Sequence, residues 1–231
     1  MKRADKVIAV SNYTKQALHI ELGISNDKIT VAHLGVDHAR FHPDIKITKQ
    51  RSVRNRYNLP GEFLLYIGTI EPRKNLLRLI EAFEQAQVSA DLILAGKLGW
   101  HGDVIMDRIR SSFKTKQIHY LGYFPEEDKP ALLKLARAFV WPSLYEGFGL
   151  PPLEACAVGT PVLAASVTSL PEVLSDGALL VNPYNVSEIT RGIEVLLNEE
   201  TLRDQYIKRG LDRSQKFNWS KTAEIIKEVI S

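Results

Sequence analysis

The chain has 231 residues, 45% of them hydrophobic and 25% charged, enough apolar mass to bury a sizeable core in one or two domains. With 30 Lys and Arg against 27 Asp and Glu the formal net charge is only +3, too weak a field to argue for nucleic acid or another polyanion as partner. The single cysteine, Cys156, excludes an internal disulfide framework and suits a reducing cytoplasm. It lies between Ala155 and Ala157 with no histidine or other base close in sequence, so it reads as a small core thiol rather than a nucleophile. No apolar run approaches the span of a membrane helix, and the start M-K-R-A-D-K has no hydrophobic signal core. A soluble cytoplasmic protein is expected, with room for peripheral contact at the inner membrane face.

From the N-terminus, short apolar runs rich in β-formers alternate with amphipathic stretches, the pattern of parallel strands joined by helical crossovers. Strands are predicted at Lys6–Val10, Phe63–Gly68, Asp91–Gly96, Ile118–Tyr123, Phe139–Ser143, Pro161–Ala165 and Leu179–Asn182. Lys6–Val10 and a helix started by Ser11 and running to Leu22 form one βα unit, and His33–Pro43 follows as an aperiodic linker. That linker carries His33, His38 and His42 around Asp37, a spacing that could clasp a metal. It has no tight ligand motif, and exposed linker histidines are the expectation. Lys46, Lys49, Arg51, Arg54 and Arg56 then fall in one stretch without an acid, which reads as the solvated face of a helix rather than a membrane or phosphate patch.

Further on, Leu76, Leu77, Leu79, Ile80 and Phe83 supply an apolar face for the first crossover of the main sheet, and Leu132, Leu133, Leu135 and Ala136 do so for a later one. Asn185, three residues before Glu188, reads as a variant capping box that starts a helix ending near Asn198. Helices over Glu200–Gln215 and Ser220–Ile230 complete the chain. The expected fold is α/β, a Rossmann-like parallel sheet with helices on both faces, and the chain divides into residues 1–43 and 44–231.

Two constellations carry chemistry. The first, W-P-S-L-Y-E-G-F-G-L-P-P-L-E from Trp141 to Glu154, is a strand ending in a glycine-punctuated turn that opens into a short helix. Gly147 and Gly149 let the backbone approach a ligand closely, and the first amides of the helix are unpaired donors at the positive end of its dipole. Pro151 and Pro152 suit the first helical turn and Gly159 the residue past its end, so the helix is predicted over Leu150–Val158, with Glu146 before it and Glu154 one turn inside. The second constellation, G-T-I-E-P-R-K-N at 68–75, leaves the first strand of the main sheet. In an open parallel sheet ligands bind outside the carboxyl ends of strands, so both loops can share one crevice, with Arg73 as a bidentate fork and Lys74 as a point charge on a diphosphate.

These residues resemble the retaining glycosyltransferases of the GT-B architecture, family 4. E-G-F-G-L-P-P-L-E matches that family's E-x7-E signature with Glu146 and Glu154 as the two glutamates, and the resemblance extends to 68–75, L-G-Y-F-P at 121–125, S-L-P-E at 169–172 and F-N-W-S at 217–220. V-S-N-Y-T-K at 10–15 and G-V-D at 35–37 resemble the end of the N-terminal lobe and the interdomain linker. The resemblance therefore implies a donor-binding half, with most of the acceptor-binding first lobe absent, and a final helix that packs back on that lobe.

It further implies that Arg73, Lys74 and the amides around Gly149 and Leu150 hold the diphosphate of a nucleotide-sugar donor. Glu154 would accept from the ribose hydroxyls, and Glu146 would touch the transferred hexose, of mannose or glucose type. Gly68, Thr69, Gly147 and Phe148 would complete the donor site, and Tyr123 and Phe124 would stand in the wall beside the base. Where many members carry an arginine after the first-loop glycine, this chain has Thr69, and Arg73 is the candidate to replace that charge. Catalysis would fall to Glu146, Arg73 and Lys74 without metal or other cofactor, on a glycan or lipid-linked acceptor. A glycoside hydrolase would also use two carboxylates, but the phosphate-shaped turn and the Arg-Lys pair argue against it. A nucleotide-sugar epimerase of related architecture and a non-catalytic nucleotide-sugar-binding module remain as alternatives.

Overall fold

The computed structural model describes residues 4–230. At the front, β1 (Val7–Ala9) leads through Ser11 into α1 (Asn12–Leu22), and β2 (Ile29–Val31) returns to pair in parallel with β1. The Ser11 side chain accepts from the Thr14 amide at 3.0 Å, satisfying one of the unpaired donors of the first turn, and Gly23 closes the helix in the left-handed region at φ 64°. Strand β2 is absent from the sequence expectation because three residues are too few to show alternation. This unit has its own small core of Ala9, Ile24 and Ile29.

Residues 33–46 run without regular structure to α2 (Ile47–Arg56), after which the main sheet begins. It consists of β3 (Phe63–Ile67), β4 (Asp91–Ala95), β5 (Ile118–Gly122), β6 (Ala138–Trp141), β7 (Val162–Ala165) and β8 (Leu179–Val181), all parallel in the order β5-β4-β3-β6-β7-β8. All five residues of β3 and all four of β6 and β7 are buried, as expected of strands covered on both faces. The crossovers are α3 (Leu76–Gln85), α4 (Gly102–Arg110), α5 (Lys129–Leu135), α6 (Leu150–Ala157) and α7 (Leu170–Leu174), and three helices finish the chain: α8 (Val186–Asn198), α9 (Glu200–Ser214) and α10 (Trp219–Ile230).

The predicted strands are all present, with ends that shift by a residue or two. Leu76, Leu79, Ile80 and Phe83 face the core from α3, but Leu77 is turned outward, and Ala136 lies just past the end of α5. Asn185 caps α8 as anticipated, its side chain accepting from the Glu188 amide at 3.2 Å while its amide group donates to the Glu188 carboxylate at 3.1 Å. Cys156 is buried and the low-dielectric surroundings push its thiol up to about 12, consistent with a core role.

Two expectations are corrected. Two of the three linker histidines are docked rather than free: the His33 ring meets the Glu172 carboxylate at 2.6 Å and packs edge-on against Phe217, and the His38 ring meets the Phe217 carbonyl at 3.1 Å. Among the described residues no group of three or more His, Cys, Asp or Glu side chains is placed to hold a metal. The basic stretch is only partly a solvated face. Lys49 and Arg56 both bind the fully buried Asp128 carboxylate, and Arg54 bonds the carbonyls around Pro60. The spacing of basic residues reveals their helix but not a partner seventy-odd residues away.

Candidate functional site

The order of the sheet reverses between β3 and β6, the arrangement that opens a crevice outside the carboxyl ends of those two strands. Both chemical loops leave there, one after each strand. They are stitched together: the Leu144 amide donates to the Arg73 carbonyl at 2.9 Å, and the Asn75 side chain donates to the carbonyls of Pro142 at 3.1 Å and Pro183 at 2.7 Å. Gly68 is needed for the close approach beneath this loop, because a Cβ there would lie 2.6 Å from the Tyr66 hydroxyl and 3.1 Å from the Trp141 ring.

The turn after β6 is held from behind. Ser169 Oγ reaches the carbonyls of Glu146 at 2.9 Å and Phe148 at 3.0 Å, sharing its one hydrogen between them, while Ser11 Oγ and Thr14 Oγ1 donate to the carbonyl of Gly147 at 2.7 and 3.1 Å. In a trans peptide the carbonyl and the following N–H point in opposite directions, so tying three successive carbonyls to hydroxyls aims the amides of Gly147, Phe148 and Gly149 away from them. Among the described residues those three amides and that of Leu150 donate to no protein acceptor, whereas the Glu146 amide is taken by Thr168 Oγ1 at 3.2 Å. The result is four consecutive open donors at the start of α6. Gly149 makes the bend possible at φ 105°, where a side chain would be strained and its Cβ would meet Leu170.

Beside this turn stands a compact charge cluster. Lys74 Nζ is 2.6 Å from Glu146 Oε1 and 4.5 Å from the centre of the Trp141 ring. The ammonium is buried, and desolvation lowers its pKa against the opposing pull of Glu146. Arg73 is more exposed and both arms of its fork are engaged, one by the Tyr145 carbonyl at 2.6 Å and by Glu146 at 3.4 Å, the other by Glu71 at 2.7 Å. The sequence reading gave Arg73 the bidentate role and Lys74 that of a point charge, and the fold brings both cations against Glu146, with the Arg73 fork also engaged by Glu71 and the Tyr145 carbonyl. Trp141 stacks on Tyr66 with ring centres 5.2 Å apart, and burial together with nearby Glu146 raises the Tyr66 hydroxyl well above its ordinary value.

Glu154 lies one turn into α6, its carboxylate 2.7 Å from Lys129 Nζ. The pair is not aligned as a hydrogen bond, and Glu154 Oε2 is buried without one. Tyr123 is largely exposed with Lys97 over its ring, while Phe124 is buried in the core. Thr69 offers its carbonyl to the Tyr66 hydroxyl at 2.9 Å.

The sequence reading located both loops and placed Ser11, Thr14 and Ser169 in resembling segments, but it gave them no part in holding the turn and missed Thr168 and Lys129. Which hydroxyl meets which carbonyl depends on the fold and leaves no trace in the local sequence. A separate cavity of about 440 Å³ lies between the linker and α5, lined by Arg40, His42, Lys46 and Pro130, and no crevice residue borders it.

Comparison with known proteins fits this geometry. The family model described as glycosyl transferases group 1 matches residues 49–213, and the one described as Glycosyltransferase Family 4 matches residues 1–40. The chain is 42% identical over 172 residues to the O-antigen chain mannosyltransferase B of Escherichia coli, covering 72% of this chain and 45% of that protein. It is 33% identical over 230 residues to the serotype-specific mannosyltransferase WbdA of the same organism, covering 97% of this chain and 28% of that one. The chain thus spans less than half the length of these two relatives. Among solved structures, a glycosyltransferase from Rickettsia africae superposes with a TM-score of 0.89 at 22% identity over 98% of this chain and 64% of its own. Anabaena Alr3699/HepE, solved with UDP and glucose, also reaches 0.89, at 21% identity over 98% and 63%. With a family model matched over most of its length and the parallel fold of GT-B enzymes, this chain belongs to the glycosyl transferases group 1 family, of GT-B architecture and family 4 type.

Proposed function

We propose that the chain is the donor-binding part of a retaining hexosyltransferase that takes mannose or a similar hexose from a nucleotide-diphosphate sugar. The observation that carries this reading is the row of four open amides at 147–150 beside Lys74, at the switch point of a parallel sheet. Breaking a sugar–phosphate bond requires charge stabilisation on the departing diphosphate while the anomeric carbon turns cationic. Fixed amides and a desolvated lysine supply the first without a metal. Glu146, held at 2.6 Å by Lys74, is the carboxylate beside the transferred sugar, and Glu154, ion-paired to Lys129 at 2.7 Å one turn into the helix, is the acceptor for ribose hydroxyls. Mannose is favoured over glucose because both E. coli relatives carry mannosyltransferase in their names.

Transfer itself needs an acceptor-side lobe to position the acceptor and exclude water from the cleft. The test is calorimetric titration of GDP-, UDP- and ADP-sugars with chelator present, followed by transfer assays with and without a first lobe added in trans. Metal-free binding of one nucleotide class, negligible transfer by the chain alone, and transfer with retained anomeric configuration on adding the lobe are expected. Binding only with magnesium or manganese would contradict the reading, and turnover of the sugar to an epimer would replace it with the epimerase.

A further inference from the structure

One carboxylate ties three separate parts of the chain together next to the open turn. Glu172, on α7, accepts from the Asn12 amide and the Asn12 side chain, both at 2.8 Å, from the Tyr13 amide at 3.1 Å, and meets the His33 ring at 2.6 Å. Asn12 and Tyr13 are the first two residues of α1, so Glu172 closes donors that a helix start leaves unpaired, at the end of the dipole that favours an anion. Burial would raise this carboxyl, but the bonds from Asn12, His33 and Tyr13 outweigh it and hold it below the usual glutamate value. Arg213 fixes the other side of α7 by donating to the carbonyls of Glu172 and Val173.

The consequence lies one residue earlier in α1. Ser11, the cap of the same helix, is fully buried and donates to the Gly147 carbonyl with Thr14, and that carbonyl belongs to the peptide carrying the Phe148 amide. Tyr13 also lies edge-on to Tyr145, with ring centres 5.7 Å apart. Seating α1 on Glu172 therefore seats two hydroxyls on the middle peptide of the turn. We propose that Glu172 is a positioning residue, clipping the N-terminus of α1 to α7 so that Ser11 and Thr14 hold the Gly147–Phe148 peptide with its N–H turned outward toward an anionic ligand. The inference rests on the reading of 147–150 as the cradle of a diphosphate. It assigns a role in donor binding to a helix outside the main sheet.

The experiment measures amide exchange across the whole chain for the native protein, Glu172→Ala, Glu172→Gln and the double variant Ser11→Ala/Thr14→Val, with calorimetry using GDP, UDP and inorganic pyrophosphate as probes. Glu172→Ala is expected to speed exchange at Asn12 and Tyr13 and also at 147–150, and to weaken the probe that binds best by about tenfold, the scale of one lost hydrogen bond. Glu172→Gln, which keeps an acceptor, should recover part of both effects. Ser11→Ala/Thr14→Val should loosen 147–150 and weaken the probe to a similar degree, and combining it with Glu172→Ala should add little, because both break one linkage. If Glu172→Ala loosens Asn12 and Tyr13 while exchange at 147–150 and probe affinity both stay within about twofold of native, the clip is merely structural and the proposal is overturned. If the native protein binds none of the probes, the donor reading fails, while the exchange data still decide whether Glu172 governs the turn.

Discussion

Two buried carboxylates in this protein, Glu146 and Asp128, each sit between two cations, and they do opposite jobs. Asp128 is sealed: its side chain is fully buried, with Lys49 at 2.5 Å on one oxygen and Arg56 and Tyr57 on the other, so both oxygens are engaged by the protein. Burial raises its pKa, but the bonds from Lys49, Tyr57 and Arg56 win and lower it. Glu146 has Lys74 and Arg73, the same kind of partners, yet it stands at the carboxyl edge of the sheet beside four amides that find no acceptor among the described residues. The difference lies not in the ion pairs but in what surrounds them. A satisfied network joins α2 to the turn before α5, whereas the donors beside Glu146 are left open for the anionic ligand proposed above.

The comparison breaks most clearly at the lysines. Lys74→Met should cut affinity for a nucleoside diphosphate by roughly 30- to 150-fold, the equivalent of a charge-assisted contact worth about 2–3 kcal/mol, whereas Lys49→Met should leave it within about twofold. Equal losses in the two variants, read by calorimetry, would erase the distinction between the centres. Next in size, Asp128→Asn should lower stability by about 1–3 kcal/mol, less than for an ion pair buried on both sides, because Asp128 is buried but Lys49 and Arg56 are partly exposed and can turn toward water. The melting midpoint should fall by about 3–9 °C with nucleotide affinity unchanged.

A smaller effect sharpens the site internally. Glu154→Gln should weaken GDP or UDP by about fivefold and inorganic pyrophosphate hardly at all if Glu154 serves ribose as proposed. Equal weakening of both would assign Glu154 to the phosphates or to the fold.

The pH profiles should also separate the centres. Asp128 has a depressed folded pKa, so its stabilisation is complete above the ordinary aspartate value of 3.8 and is lost as pH falls through the lower folded value. Lys74 is lowered from 10.5, so affinity for a diphosphate should decline on the alkaline side before the ordinary lysine range is reached. Chemical denaturation across acid pH and calorimetry across alkaline pH check the two limbs.

Much of this was legible in the sequence because it was local. Strand periodicity located the sheet, and Gly147, Gly149 and the two prolines marked the turn and helix start that the structure shows. Asn185 and Glu188 announced their cap. What stayed hidden depends on residues far apart in the chain. Asp128 meets Lys49 across 79 positions and Glu172 meets Asn12 across 160, and neither pairing leaves a periodic trace in the stretch that contains it. The same limit explains why Lys49 and Arg56 read as solvated charge and His33 as a free linker side chain. The same holds for the Arg73-Lys74 pair, where only the fold shows that Glu71 and the Tyr145 carbonyl engage Arg73.

The most direct test of the central claim is an amide-resolved NMR titration of the isotope-labelled chain with a nucleoside diphosphate in the presence of chelator. The largest shifts should fall on the amides of Gly147, Phe148, Gly149 and Leu150, saturate together with the Lys74 side-chain signal, and leave the amides around Lys49 and Asp128 unmoved. Shifts centred instead on the Arg40–Lys46 cavity, or none at the four amides under saturating nucleotide, would contradict it.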